Sequence, residues 1–248
     1  MTRHLTIITG GSRGLGRAMA EQRLRESHDL LLIARQPATL VAAGAARLES
    51  WQTDLADAAP TAARMAQWLS ALEGHPPASV TLINNAGVVS ELAPLADVPG
   101  PDLANALRVG LEAPMLLTAA FLRATRAWAM PKKVLLISSG LGRRAMAGSA
   151  SYCAAKAGMD HLARALSLEE SANAHGAKVV SLAPGVIDTD MQVQLRTADP
   201  ARFPERERFA GLKSGGHLDS PAQAAAKVLA YLDRADFGAN PVADVRDA

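Results

Sequence analysis

Short, nearly continuous apolar runs return along this chain, separated by longer alanine-rich stretches of helical period, and no other feature restricts its folding so strongly. The clearest runs are 4–9 (HLTIIT), 29–34 (DLLLIA), 79–83 (SVTLI), 133–138 (KVLLIS) and 178–183 (KVVSLA), with weaker ones at 47–53 and 242–245. A strand that is apolar on both faces must be covered on both, and parallel neighbours need a crossover between them. Helices are expected over 15–26, 58–72, 103–128, 150–171 and 222–232. The pattern predicts an α/β chain, a doubly wound parallel sheet of about seven strands with helices on both faces. No proline- or serine-rich linker and no repeat divides the 248 residues, so one domain over 1–248 is expected. Over 188–220, charge, proline and glycine displace the apolar period, and this segment reads as a substrate lid or a surface excursion.

Composition removes several classes of function. The net charge is +2, which gives no footing for nucleic-acid binding. No apolar run approaches the roughly 20 residues of a membrane span, and the run after MTRH is too short for the core of a secretory signal. Cys153 is the single cysteine, so no intrachain disulfide can form and a reducing compartment, the cytoplasm, is expected. The six histidines lack metal-ligand spacing, and no metal is expected. Trp51, Trp68 and Trp128 are read as packing residues.

TGGSRGLG (9–16) joins the first strand to the first helix. Glycines there let the backbone turn tightly and approach a pyrophosphate, whose charge meets the free N–H groups of the helix start. The carboxyl ends of parallel strands share one edge, and ligands bind in the crevice outside it. Residues that follow strands are thereby gathered: Gly10 to Gly16, Arg35, Asp54, Asn84 to Gly87, Ser139 and Pro184. Charge at the end of the second strand then separates the dinucleotides. An acid there would accept from the ribose 2′-OH of NAD, but this chain has Arg35, with Arg13 inside the glycine turn, and two guanidinium groups suit a 2′-phosphate. NADP(H) is the expected cofactor.

SASYCAAKAG (149–158) puts Tyr152 and Lys156 one turn apart on one helical face. A phenol of ordinary pKa near 10 is a poor acid–base group at neutral pH. An ammonium one turn away would favour the phenolate, so Lys156 is expected to lower the pKa of Tyr152. A serine hydroxyl at the end of the fifth strand could steady charge on a substrate oxygen. Ser138 and Ser139 compete for that place, and since adjacent strand residues point to opposite sides, only one can face the pocket.

Taken in order, T-G-x-x-x-G-x-G at 9–16, NNAG at 84–87, ISS at 137–139, Y-x-x-x-K at 152–156 and PG at 184–185 resemble the short-chain dehydrogenase/reductase family over about residues 5–191. LINNAG, APMLLT, ISSG and APGVIDTDMQ look most like its sepiapterin reductase and benzil reductase group. The resemblance implies a Rossmann-like fold and an NADP-dependent oxidoreductase that reduces a small carbonyl substrate, a diketone, aryl ketone or pterin-like compound, to an alcohol. It implies Ser139, thirteen positions before Tyr152, as the catalytic serine beside Tyr152 and Lys156, with Lys156 also holding the nicotinamide ribose. It assigns the cofactor to Gly10, Ser12, Arg13, Gly14, Leu15 and Gly16 in the turn, and to Arg35, Asp54 and Leu55 toward the adenine. Asn85, Ala86 and Gly87 follow, then Pro184, Gly185, Val186 and Thr189, the last near the nicotinamide amide. Asp54 could equally be a helix N-cap.

The chain departs from the pattern at Gly110, where many relatives place an asparagine that holds a water of the proton relay. Either a backbone carbonyl holds that water or proton supply is impaired; a non-catalytic NADP-binding sensor or scaffold is the alternative reading. Arg196, Arg202, Arg206 and Arg208 are read as solvated. The helices over 103–128 and 150–171 carry more small and apolar residues than one buried face needs, which predicts a homodimer or homotetramer.

Overall fold

The structure, a computed structural model, describes residues 3–25, 27–42 and 46–247. Seven parallel strands, β1 His4–Thr9, β2 His28–Ala34, β3 Leu48–Gln52, β4 Ser79–Asn84, β5 Lys132–Ile137, β6 Lys178–Ala183 and β7 Val242–Asp244, lie in the order β3-β2-β1-β4-β5-β6-β7. The strand order reverses between β1 and β4, the place where an open parallel sheet forms a crevice.

Period-two alternation decides which layer each strand residue meets. Leu5 and Ile7 of β1, Leu31 and Ile33 of β2 and Leu82 of β4 pack under α2 (Ala59–Ser70), α4 (Ala113–Ala124) and α5 (Ala150–Ser171). Ile8, Leu30, Leu32 and Ile83 point the other way, under α1 (Gly14–Arg23) and α8 (Pro221–Leu232). The start of α8 is written locally: Ser220 accepts from Gln223 N, Gln223 returns its Oε1 to Ser220 N, and Pro221 fills the first helical position. β1, β6 and α5 fall where the sequence places them, whereas α1 ends at Arg23. Glu26, the expected end of that first helix, lies outside the described residues. Among the described residues no helix is long and apolar enough to cross a membrane.

One expectation is corrected. The helix expected over 103–128 is interrupted: α3 (Gly100–Leu107) passes through a π turn, Arg108–Glu112, before α4 begins. Pro114 has no N–H to offer residue 110 and its ring crowds the carbonyl four residues back, so the helix widens and Ala113 N reaches Arg108 O instead. The segment over 188–220, read from the sequence as a substrate lid or a surface excursion, folds into α6 (Asp190–Thr197) and α7 (Arg206–Ser214). Leu195, Phe203 and Phe209 pack there against Leu141 and Met146 in a small third core. Phe203 is fully buried against Gly148, where a Cβ would stand 2.9 Å from its ring. Of the arginines expected to be solvated, Arg196, Arg206 and Arg208 pair with acids of the same segment, Asp188 (3.0 Å), Glu207 (3.1 Å) and Glu205 (3.2 Å), while Arg202 reaches Glu91 in the loop after β4; Arg202, Arg206 and Arg208 stay partly exposed.

If Phe203 anchors this segment, Phe203→Ala should lower stability in urea by about 3–5 kcal/mol. A loss under about 1 kcal/mol would show that 188–220 moves independently of the sheet.

Candidate active site

The carboxyl ends of β1, β2, β4, β5 and β6 open onto one cleft of about 1060 Å³. Every residue assigned from the sequence to cofactor or chemistry, from Gly10 to Thr189, lies on its wall, together with Ser139, Tyr152 and Lys156.

The nucleotide half is built around a tight backbone crossing. Gly10 has φ +69°, and a Cβ on Gly16 would stand 2.3 Å from Gly10 O, so the turn closes only with glycine at both places. Asn85 straps this turn to β4: its Nδ2 donates to Thr9 O (2.9 Å) and Gly10 O (3.3 Å). Thr9, which the sequence reading did not single out, accepts on its buried hydroxyl from the N–H groups of Asn85 (2.9 Å) and Ala86 (3.0 Å). Asn85 therefore shapes the turn as well as facing the cleft. α1 begins at an extended Arg13 with no side-chain cap and no acid in its first turn, which leaves its N–H groups for an anion. The carboxylate of Asp54 accepts from Ala56 N (3.0 Å), capping the short turn that follows β3. Arg13 pairs with Asp190 of α6 across the mouth of the cleft (2.7 Å), both side chains 70% exposed. Arg35 is exposed and has no ionic or hydrogen-bonding partner among the described residues.

The chemical half is organised by a buried acid. Asp160, one turn beyond Lys156 on α5, accepts from the hydroxyls of Ser138 (2.6 Å) and Ser181 (2.7 Å) and from Arg143 Nε (3.2 Å). Ser138 is thereby turned to the interior, and Ser139 takes the cleft side, where its Oγ also accepts from Leu141 N (3.2 Å). Lys156 is 4% exposed; its Nζ donates to Ile137 O (2.7 Å) and lies 5.5 Å from the centre of the Tyr152 ring. Burial pushes the Lys156 ammonium down to about 8, with the Asp160 carboxylate working the other way.

The expected lowering of Tyr152 is not found. Although part of its side chain faces the cleft, crowding around the hydroxyl pushes it up to about 12, a hydrogen bond with Ser139 pulling against that. The ammonium that should favour the phenolate is held by the Ile137 carbonyl, over the ring rather than at the oxygen. Tyr152 is therefore a neutral phenol at physiological pH: it carries a proton to give, but is a weaker acid than a free phenol.

Gly110 lies buried in the π turn, and a Cβ there would approach Ala155 Cβ, between Tyr152 and Lys156 on α5, to 3.1 Å. A side chain there would press on α5. Asn105 of α3, Met146, Gln192, Leu195 and Phe209 also line the cleft. They carry no motif; only the packing of α3, α6 and α7 reveals them.

A family model described as short chain dehydrogenase matches residues 4–200. The chain is 34% identical over 235 residues to a benzil reductase ((S)-benzoin forming) of Bacillus cereus, covering 93% of this chain and 94% of that one. It is 32% identical over 256 residues to the sepiapterin reductase of Meriones unguiculatus, covering 97% and 95%. A solved short-chain dehydrogenase/reductase from Burkholderia vietnamiensis superposes with TM-score 0.65 at 33% identity, covering 99% and 100%. A Beutenbergia cavernae chain assigned as an NAD(P) dependent gluconate 5-dehydrogenase, solved with NADP at low occupancy, gives TM-score 0.81 at 25% identity, covering 99% and 96%.

The depressed Lys156 has a consequence for stability. Between about pH 8 and the ordinary lysine value of 10.5 the unfolded chain binds more protons at this residue than the folded one, so stability rises with pH across that window. The difference in urea midpoint between the parent and Lys156→Met should grow from pH 8 to pH 10 in the parent's favour. A difference independent of pH would show that Lys156 titrates normally.

Proposed function

The chain belongs to the short chain dehydrogenase family, and from that premise we propose that it is an NADPH-dependent carbonyl reductase acting on an aryl ketone or 1,2-diketone. The observation that carries this reading is one cleft in which a neutral Tyr152, Ser139 and Lys156 sit between the uncapped start of α1 and an apolar wall of Leu141, Met146, Met191, Leu195 and Phe209. That wall suits flat apolar groups beside a carbonyl.

The residues present fit a dinucleotide. The backbone of Gly10 to Gly16 would hold the pyrophosphate, with Arg13 and Arg35 at the 2′-phosphate and Asp54 and Leu55 on the adenine side. Ala86, Gly87, Pro184, Gly185, Val186 and Thr189 would flank the nicotinamide half. When bound, the reduced dinucleotide supplies the hydride that the carbonyl carbon accepts. Tyr152 holds its proton at neutral pH and gives it to the carbonyl oxygen as that oxygen takes up the electron pair of the C=O π bond. The Ser139 hydroxyl donates to the same oxygen and steadies its developing charge. The phenolate left on Tyr152 is neutralised by Lys156, whose pKa of about 8 lets it pass a proton and recover one from solvent. Gly110 offers no side chain to this relay; Asn105 brings an amide to the same cleft, and we assign it the water that an asparagine holds in relatives.

α4 and α5 expose Met115 (46%) and Leu168 (76%), and we propose that these helices join copies of the chain. Sedimentation at micromolar concentration should show a dimer or tetramer, and a monomer would remove this part of the reading.

NADPH oxidation over a panel of diketones, aryl ketones and pterins tests the reaction. Tyr152→Phe should lower turnover by about 10²–10⁴-fold with NADPH affinity retained, and Arg35→Ala should raise the KM for NADPH by about 10-fold or more. Tight NADPH binding with no turnover on any carbonyl would favour a sensor, and preference for NADH would overturn the roles of Arg13 and Arg35.

A further inference from the structure

The sheet face under α1 and α8 is apolar from its middle to the nucleotide edge, with Ile8, Leu30, Leu32, Ile83 and Leu135 buried there. At the opposite edge the same inward positions turn polar. Two-residue steps back along the strands lead to Thr6 and His4 on β1, His28 on β2, Thr81 and Ser79 on β4, and Lys133 on β5. Strand register aligns His28, His4 and Ser79 in one row and Thr6, Thr81 and Lys133 in the next. The last residue of α1, Arg23, and the end of α8 close over these rows, leaving a cavity of about 270 Å³ at the end of the molecule remote from the cleft.

Its wall is cationic and its donors are only partly used. Arg23 is 6% exposed and gives NH2 to Asp233 (2.5 Å), but its Nε is buried with no hydrogen-bond partner among the described residues. A buried guanidinium N–H without an acceptor is costly, and native structures seldom keep one without a reason. Lys133 Nζ donates to Leu232 O (2.6 Å) and has no carboxylate within ion-pair distance among the described residues. Asp233, the one acid among the lining residues, is the group already paired with Arg23. The rings of His4 and His28 stack with centres 4.9 Å apart, and His4 Nδ1 lies 2.7 Å from Ser79 Oγ.

We propose that this cavity is a second ligand site, separate from the catalytic cleft, that takes a small phosphate-type oxyanion between Arg23 and Lys133, with Thr6, Thr81 and Ser79 donating to its oxygens. A phosphate accepts from several donors at once, and the guanidinium of Arg23 and the ammonium of Lys133 both belong to residues that line the cavity. The cavity also has room beyond the phosphorus for a short carbon chain, so inorganic phosphate and a small phosphate monoester share the recognition. The state of His28 agrees with a site made for an anion. Burial together with the positive charges of Arg23, Arg25 and His4 holds its pKa down at about 4, with Asp233 opposing them. An oxyanion beside Arg23 and Lys133 would reverse the electrostatic part of that shift.

The test is local to the cavity: the His28 and His4 ring resonances followed by NMR as inorganic phosphate, then glycerol 3-phosphate, is added at constant ionic strength. Each should give a saturable shift at His28 and raise its pKa, whereas chloride should not; a much tighter midpoint for the monoester would identify an organic phosphate as the ligand. Lys133→Gln, which keeps the Arg23–Asp233 pair, should weaken the midpoint by about tenfold or more, and Thr81→Val should weaken it less. No saturable shift across the millimolar range, or an unchanged midpoint in both variants, would overturn the proposal. Phosphate held only at the glycine turn would leave His28 unmoved and count as the same negative result.

Discussion

One buried carboxylate fixes the chemical half of this molecule. Asp160 takes hydrogen bonds from Ser138 at the end of β5 and Ser181 on β6, so it ties α5 to two strands directly beneath the site. Three consequences follow from that tie. Ser138 is committed to the interior, which leaves Ser139 as the cleft-side hydroxyl. α5 is held at the depth where Lys156 Nζ meets the Ile137 carbonyl. The negative charge one turn beyond Lys156 offsets part of the desolvation that lowers the ammonium's pKa. Arg143, bridging Asp160 to the carbonyl of Ala243 in β7, keeps the carboxylate from being an unpaired buried charge.

The nucleotide half depends on sterics more than on charge. Gly10, Gly16 and Asn85 meet so closely that any Cβ on Gly16 would strike backbone, and the strap from Asn85 to Thr9 sets the end of β4 against the end of β1. The two halves meet where α6 crosses the mouth, Arg13 reaching Asp190. An exposed pair of this kind is weak and easily exchanged for a phosphate oxygen, so the contact that spans the open cleft is also one that a dinucleotide could replace.

Much of this was legible in the residues alone, for stated reasons. Strands buried on both faces must be apolar throughout, so HLTIIT and KVVSLA announce β1 and β6, and motifs placed after strand ends must converge on one edge. What escaped the sequence depends on contacts between distant segments. Phe203 and Phe209 read as isolated aromatics in a charged stretch until they are seen against Leu141, Met146 and Gly148. The π turn comes from Pro114 acting four residues back on a segment that otherwise has helical period. The direction of the Tyr152 shift is not legible in the sequence, because spacing on a helix places Lys156 on the right face but says nothing of burial or of the Ile137 carbonyl that claims the ammonium. The polar rows His28–His4–Ser79 and Thr6–Thr81–Lys133 come together only when the register sets four strands, β2, β1, β4 and β5, side by side.

The part given to Lys156, a buried proton carrier tuned by Asp160, is most directly tested by the pH dependence of kcat/KM for NADPH-driven reduction of an aryl diketone in the parent and in Asp160→Asn. The parent should lose activity as pH rises through about 8, and removing the carboxylate should move that limb to lower pH, because the charge that opposes desolvation of the ammonium is then gone. A limb at the same pH in both proteins would contradict that coupling and leave Asp160 a packing residue only.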